Sequence, residues 1–292
     1  MNHKYPSKYT ELESYLSKSE NCFADIKLGT GKKIQWNNAS TKQKTALSIV
    51  YLHGFSASRQ EISPVCETLA TKLNANLYLT RLTGHGQTGE AMREITLTTL
   101  LEDANEAFAI GRCLGDKVII VGTSTGATLA TYLAAEHARD IHSLIFISPN
   151  FALKRNISKL LHLPFAKGIL KVLQGDTYSF TPDNELQEKY WTTSYPSLAL
   201  LPLMQLLKFT NKLKLEKIVT PLLCFYSEQD QVVSPRAIKN NFIRFGSPMK
   251  KLVSISNPHG PQKHILAGDI ISPNTTQEVL KEMTDFLIKV ES

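Results

Sequence analysis

The chain has no run of about 18 uninterrupted apolar residues, so no membrane-spanning helix and no stable membrane insertion are expected. Cysteine is scarce: Cys22, Cys66, Cys113 and Cys224 are the only four in 292 residues, and none pair at metal-ligand spacing. That excludes a disulfide-stapled scaffold and a zinc module, and reduced thiols are expected, with Cys224 in a buried strand. The first 20 residues carry Lys4, Lys8, Glu11, Glu13, Lys18 and Glu20 but no apolar core. A signal peptide is therefore not expected, and a cytoplasmic chain is. Basic residues exceed acidic ones by 33 to 26, a net charge of +7, yet they are scattered in pairs such as Lys32-Lys33 and Lys250-Lys251. Without a basic motif interleaved with aromatics, no nucleic-acid partner is expected. The excess reads as a solvated surface, with attraction to anionic lipid or anionic acyl thioesters as the minority reading. No repeat or low-complexity tract occurs, and nothing in the sequence sets an oligomeric state.

What is present suits one large α/β domain with an insertion, since 42% of residues are hydrophobic and only 20% charged. A polar, helical lead precedes a strand signal near Ile34-Gln35-Trp36, and Lys42-Gln43-Lys44 reads as a turn. Strand-like Ala46–Leu52 and Leu77-Tyr78-Leu79 follow. A helix is expected near Ser63-Pro64, with proline in its first turn, and another over Leu97–Leu114. Val118–Val121 then reads as a strand, the following residues to about His137 as a helix, and Ser143–Ile147 as the next strand. Alternation of this kind predicts a mostly parallel central sheet with helices on both faces. The last helix, about Thr275 to Val290, places Val279, Leu280, Met283, Phe286, Leu287 and Val290 on one stripe.

Chemistry enters at Gly122-Thr123-Ser124-Thr125-Gly126, where strand becomes helix. A G-x-S-x-G in that setting is a nucleophile elbow, a turn tight enough to hold the serine hydroxyl clear of the backbone. The two glycines remove Cβ atoms where strand and helix pass closely. Thr125 follows the serine, so its N–H lies at a helix N-terminus and can face an oxyanion. Read alone, the pentapeptide is also compatible with an ordinary glycine-rich loop capped by serine.

A serine nucleophile needs a base, and the base needs an orienting acid. The strand-like Pro221–Tyr226 ends in Ser227-Glu228-Gln229-Asp230, which puts a carboxylate at the ligand edge of an open sheet. Asp230, next to Val232-Val233, is preferred to Glu228. Leu252–Ile255 then runs into a loop with His259 and His264. His259, between Pro258 and Gly260, reads as a turn residue. His264 precedes Ile265-Leu266 and Asp269, an apolar helix start that could hold it, and is preferred. Ser124, Asp230 and His264 fall in the chain order of this mechanism, each after its own strand. Upstream, Ala46–Leu52 runs into His53-Gly54-Phe55, and the Phe55 N–H is the expected second oxyanion donor, approached closely because Gly54 has no side chain. His53, and His85 within Gly84-His85-Gly86, are expected to be structural.

On these residues the chain resembles the α/β-hydrolases from about residue 45 to its end, and within them the serine carboxylesterases and monoacylglycerol-lipase-like enzymes with a helical lid. The resemblance implies Ser124 as nucleophile, Asp230 as acid, His264 as base, an oxyanion hole of Phe55 and Thr125, and no metal or other cofactor. A serine at the elbow sets the chain apart from the haloalkane dehalogenases and epoxide hydrolases of this fold, which carry aspartate there. Two positions depart from the family's habit: Ser227 where glycine is frequent, and Gln262 where serine is frequent.

Between Ser148 and about Lys217 the alternation stops; two or three helical stretches and no clear strand are expected. Residues 148–217 are read as a helical lid inserted into a core of residues 1–147 and 218–292. Leu160 to Leu173 crowd its first stretch, and Trp191, Tyr195, Leu203, Met204 and Leu207 its later part. An apolar lid suits an acyl substrate, because each buried CH₂ contributes roughly 0.8 kcal/mol. The expected partner is a small-molecule acyl ester. A thioesterase, a C–C bond hydrolase or a catalytically silent binding module of the same fold are the alternatives.

Overall fold

The computed structural model describes residues 5–154 and 175–291. The helical stretch expected over Leu160–Leu173 lies outside the described residues.

The strands are β1 (Lys33–Gln35), β2 (Thr45–Leu52), β3 (Asn76–Leu79), β4 (Gly115–Thr123), β5 (Ile141–Ile147), β6 (Thr177–Ser179), β7 (Ser194–Pro196), β8 (Leu222–Tyr226) and β9 (Lys250–Ser254). Seven of them form one sheet in the order β1-β3-β2-β4-β5-β8-β9, parallel throughout except for β1 against β3. The helices are α1 (Leu12–Glu20), α2 (Val65–Lys72), α3 (Leu97–Leu114), α4 (Thr125–His137), α5 (Glu185–Tyr190), α6 (Leu200–Thr210), α7 (Pro235–Arg244) and α8 (Pro273–Glu291).

The central strands are continuous apolar runs because both faces are covered. Their side chains alternate between two cores: Val50, Leu52, Val118, Ile120, Leu222 and Cys224 pack with α1, α3, α4, α6 and α7. Their neighbours Ile49, Tyr51, Ile119, Val121, Leu223 and Phe225 pack with α2 and α8. The α8 stripe is buried as its periodicity requires, from Val279 through Leu287. Cys66, Cys113 and Cys224 are buried free thiols, and Cys22 is exposed.

The expected limits of α3 hold at both ends, and its start has a local cause. The Thr96 hydroxyl accepts the Thr99 N–H at 3.0 Å, while the Thr99 hydroxyl accepts the Thr96 N–H at 2.9 Å. This reciprocal cap satisfies two N–H groups that the first turn leaves unpaired.

Three expectations are corrected. Pro64 stands before the first turn of α2, not within it. The inserted segment contains strand: β6 and β7 pair antiparallel, Tyr178 opposite Tyr195. Runs of three residues are too short to show a period of two, so the sequence shows no clear strand there. No helix begins after His264; the backbone stays irregular until α8 starts at Pro273. Hydroxyls replace the helix: Ser148 donates to the His264 carbonyl at 2.7 Å, Ser272 to that of Ile265 at 2.6 Å, and Thr275 to that of Leu266 at 2.8 Å. Among the described residues no helix is long and apolar enough to cross a membrane.

Candidate active site

Parallel strands deliver the loops at their C-terminal ends to one edge of the sheet, and the central strands deliver the site there. Ser124 sits between β4 and α4 with φ 51° and ψ −113°, a conformation rare for a residue with a side chain. Such a residue costs on the order of 1–3 kcal/mol and persists where its surroundings over-determine it. Here they do. The Ser124 N–H donates to the Ile147 carbonyl at 2.9 Å, and the Ser124 carbonyl accepts from Asn150 and Ala127, both at 3.1 Å.

The two elbow glycines have distinct reasons. A Cβ on Gly122 would stand 2.6 Å from the Ala127 nitrogen, where the helix folds back over its own strand. A Cβ on Gly126 would collide with the Leu52 carbonyl on the neighbouring strand β2. Gly126→Ala is therefore expected to destabilise the protein by at least about 3 kcal/mol, the upper range for overpacking, because the obstacle is backbone. A fall in the denaturation midpoint checks this.

Asp230 lies in the loop after β8 and is fully buried. Its Oδ1 accepts the N–H groups of Val232 at 2.7 Å and Val233 at 2.9 Å. Those two bonds aim the other oxygen, Oδ2, at His264 Nδ1, 2.8 Å away. The loop is braced from β5's side: Lys154 Nζ donates to the Asp230 carbonyl at 2.6 Å, and Leu153 bridges Val233. His264 follows β9 and is buried. Burial works against its charged form, but the charge and hydrogen bond of Asp230, with a further contribution from the charge of Glu61, outweigh it and raise the His264 pKa.

The rival residues point elsewhere. Glu228 is exposed and bonds Lys239 Nζ and the Tyr226 hydroxyl, both at 2.8 Å. His259 is exposed and does not border the cavity described below. The two departures from the family's habit leave the bond between Asp230 and His264 in place. Ser227 closes the turn, accepting the Asp230 N–H on its carbonyl at 3.3 Å, and the Gln262 carbonyl accepts the Gln231 N–H at 2.9 Å.

The loop after β2 supplies the opposite wall. Gly54 N–H donates to Glu61 Oε2 at 2.8 Å and Ser56 N–H donates to His85 Nε2 at 3.0 Å. Between them the Phe55 N–H has no partner among the described residues. Thr125 is the first residue of α4, where an N–H has no intrahelical partner. His53 and His85 hold this loop as neutral rings. His53 Nε2 accepts the Leu82 N–H at 3.1 Å, and Nδ1 lies 2.9 Å from the Gly54 carbonyl. His85 Nδ1 lies 2.9 Å from the Thr83 carbonyl. Burial, with the nearby charge of His85, depresses His53 to about 3, and burial depresses His85 to about 4.

Ser124, Thr125, Phe55 and His264 all border one cavity of about 670 Å³, within the range of small-molecule sites. One wall is apolar: Leu153, Leu200, Leu203, Met204 and Val232. Its core is the buried face of α6, where Leu203, Met204 and Leu207 pack together with Phe55 and Leu153. The aromatic residues Tyr178, Phe180, Trp191 and Tyr195 form another wall. Three lining residues have no signal in the sequence: Glu61, Asn150 and Ser56 are single polar residues in aperiodic loops. Only the folding of those loops onto the sheet edge brings them here.

Residues 43–258 match the family described as serine aminopeptidase, S33. The chain belongs to this family. It is 28% identical over 235 residues to the thermostable monoacylglycerol lipase of Bacillus sp. (strain H-257), covering 80% of this chain and 89% of that one. Among solved structures, a metagenome-derived lipolytic enzyme superposes with a TM-score of 0.75 at 19% identity, over 90% of this chain and 99% of that one. The monoacylglycerol lipase of Paleococcus ferrophilus superposes with a TM-score of 0.66 at 13% identity, over 90% and 100%. The sheet, its strand order and these superpositions show that the chain has the α/β-hydrolase fold.

Proposed function

We propose that the protein is a serine hydrolase that cleaves carboxylic esters of apolar acyl groups through an acyl-enzyme. The observation that carries this is a single cavity bordered by Ser124, by His264 in its bond to Asp230, and by an apolar wall. Ser124 Oγ attacks the ester carbonyl while His264 takes its proton. Asp230 fixes the His264 tautomer through Nδ1 and stabilises the imidazolium. The N–H groups of Phe55 and Thr125, unpartnered among the described residues, stabilise the oxyanion, each contribution being of the order of 3 kcal/mol. His264 then protonates the leaving alcohol, and water, deprotonated by the same ring, releases the acid. The relatives named as monoacylglycerol lipases support an acylglycerol-type ester. We assign residues 148–217 to a lid and residues 1–147 and 218–292 to the catalytic core.

A second reading follows the family's description, which names a peptidase. It would use Asp183, a carboxylate bordering the cavity, to hold a substrate ammonium. Asp183 is exposed, however, and an exposed ion pair is worth only about 0–1 kcal/mol, so the apolar wall favours the ester.

The test is a p-nitrophenyl ester series from acetyl to palmitoyl, with an aminoacyl p-nitroanilide and a matched thioester beside it. An optimum in chain length that exceeds the anilide and thioester rates supports the proposal. No turnover of any ester, with no fluorophosphonate labelling of Ser124, overturns it. The pH dependence has a definite sign. His264 must be neutral to accept the serine proton, and its pKa is raised by Asp230 and Glu61 against the effect of burial. Activity is therefore expected to fall as pH drops through a limb lying above the ordinary imidazole value of about 6.5. Asp230→Asn is expected to move that limb to lower pH, and a pH profile of kcat/KM on the best ester checks both.

A further inference from the structure

Glu61 is a carboxylate, 2% exposed, that the serine mechanism does not require. Its Oε2 accepts two donors, the Gly54 N–H at 2.8 Å and the Tyr51 hydroxyl at 2.8 Å. The Tyr51 oxygen also lies 3.1 Å from the hydroxyl of Thr123, the residue before the nucleophile. A Cβ on Gly54 would stand 2.6 Å from Oε1, so the carboxylate packs directly under the loop that carries Phe55. Glu61 also borders the catalytic cavity. One buried carboxylate thus joins the Phe55 loop to the strand end before Ser124 and borders the same cavity as His264.

We propose that Glu61 is a positioning residue: it holds the Phe55 N–H in register with Ser124, and it is a second carboxylate, beside Asp230, whose charge stabilises the His264 imidazolium. The inference rests on the serine-hydrolase reading above. Two forces set the Glu61 charge. Burial favours the neutral acid and raises its pKa, while the bonds from Gly54 and Tyr51 and the charge of His264 favour the carboxylate. Burial outweighs those bonds in the resting protein; as His264 becomes cationic during attack, the balance moves back toward the carboxylate, which is when its charge is useful. Among the described residues, the charges that raise the His264 pKa are those of Asp230, from the loop after β8, and Glu61, from the loop before α2. Lys263, on the same loop as His264, donates its Nζ to the Pro258 carbonyl at 2.8 Å.

Glu61→Gln keeps size and an oxygen acceptor and removes the charge. On the best p-nitrophenyl ester it is expected to keep KM within about threefold and to lower kcat about tenfold. The acid limb of kcat/KM is expected to move to lower pH, a readout that a purely structural residue leaves in place. Glu61→Ala, which also frees the loop, is expected to lower kcat about 100-fold, the scale of a misplaced catalytic group. Affinity for a boronic-acid analogue of the tetrahedral state is expected to fall in parallel. An unmoved acid limb in folded Glu61→Gln, or an unchanged kcat, overturns the proposal. Should Glu61→Gln fail to fold, Glu61→Asp decides. It keeps the charge but shortens the link, so a lowered kcat at the wild-type acid limb supports the proposal and a wild-type kcat overturns it. An unmoved limb in an active enzyme defeats this inference alone; a wild type that neither turns over esters nor labels at Ser124 defeats the hydrolase reading and this inference together.

Discussion

Ser124→Ala is expected to lower ester turnover by at least about 10⁴-fold while leaving the fold intact, because the reaction then proceeds only through binding and the oxyanion donors. The change removes one oxygen from a residue whose strained backbone is held by its own N–H and carbonyl, bonded to Ile147, Asn150 and Ala127. None of those bonds involves the side chain. The unfolding transition should therefore stay near that of the wild type while kcat collapses and fluorophosphonate labelling disappears. Substantial residual esterase activity in a folded Ser124→Ala protein would contradict the assignment of the nucleophile.

The second large effect separates the two histidines of the loop after β9. His264→Ala is expected to cost as much as Ser124→Ala, on the order of 10⁴-fold or more in kcat, since serine and base act as a unit and their losses do not add. His259→Ala, at an exposed position away from the cavity, is expected to leave kcat within about twofold, as surface substitutions distant from special features do. The double variant Ser124→Ala with His264→Ala should be no slower than either single one. Steady-state kinetics of the four proteins checks the set. A large loss in His259→Ala, or independent losses that multiply in the double variant, would overturn the pairing of Ser124 with His264.

Much of this was legible in the residues. Short continuous apolar runs that alternate with helical patterns read as strands buried on both faces. For that reason Ala46–Leu52, Val118–Val121 and Pro221–Tyr226 marked the sheet and, through it, the edge where the site forms. The glycines of Gly122–Gly126 mark a turn where Cβ atoms have no room, a constraint local enough to read from five residues. Chain order then called for an acid after Pro221–Tyr226 and a base after Leu252–Ile255, and the neighbouring Val232-Val233 and Ile265-Leu266 gave the preference for Asp230 and His264. Length and composition likewise excluded a disulfide scaffold and a spanning helix without any coordinates.

Tertiary structure decided the rest, because the remaining forces act between segments far apart in the chain. The preference for Asp230 over Glu228 acquires its geometry from two backbone N–H groups that turn one carboxylate oxygen toward Nδ1, while Lys239 and Tyr226 draw the other carboxylate away. His264 is held by the Ser148 hydroxyl from β5's end, not by a helix of its own. The strands β6 and β7 are too short for periodicity to announce and exist only because each pairs with the other. Glu61 stood as one charged residue in an aperiodic loop. Its burial, its bond to Gly54 and its position beside the cavity that Ser124 and His264 border arise from the packing of that loop against β2 and the elbow, which no local pattern encodes.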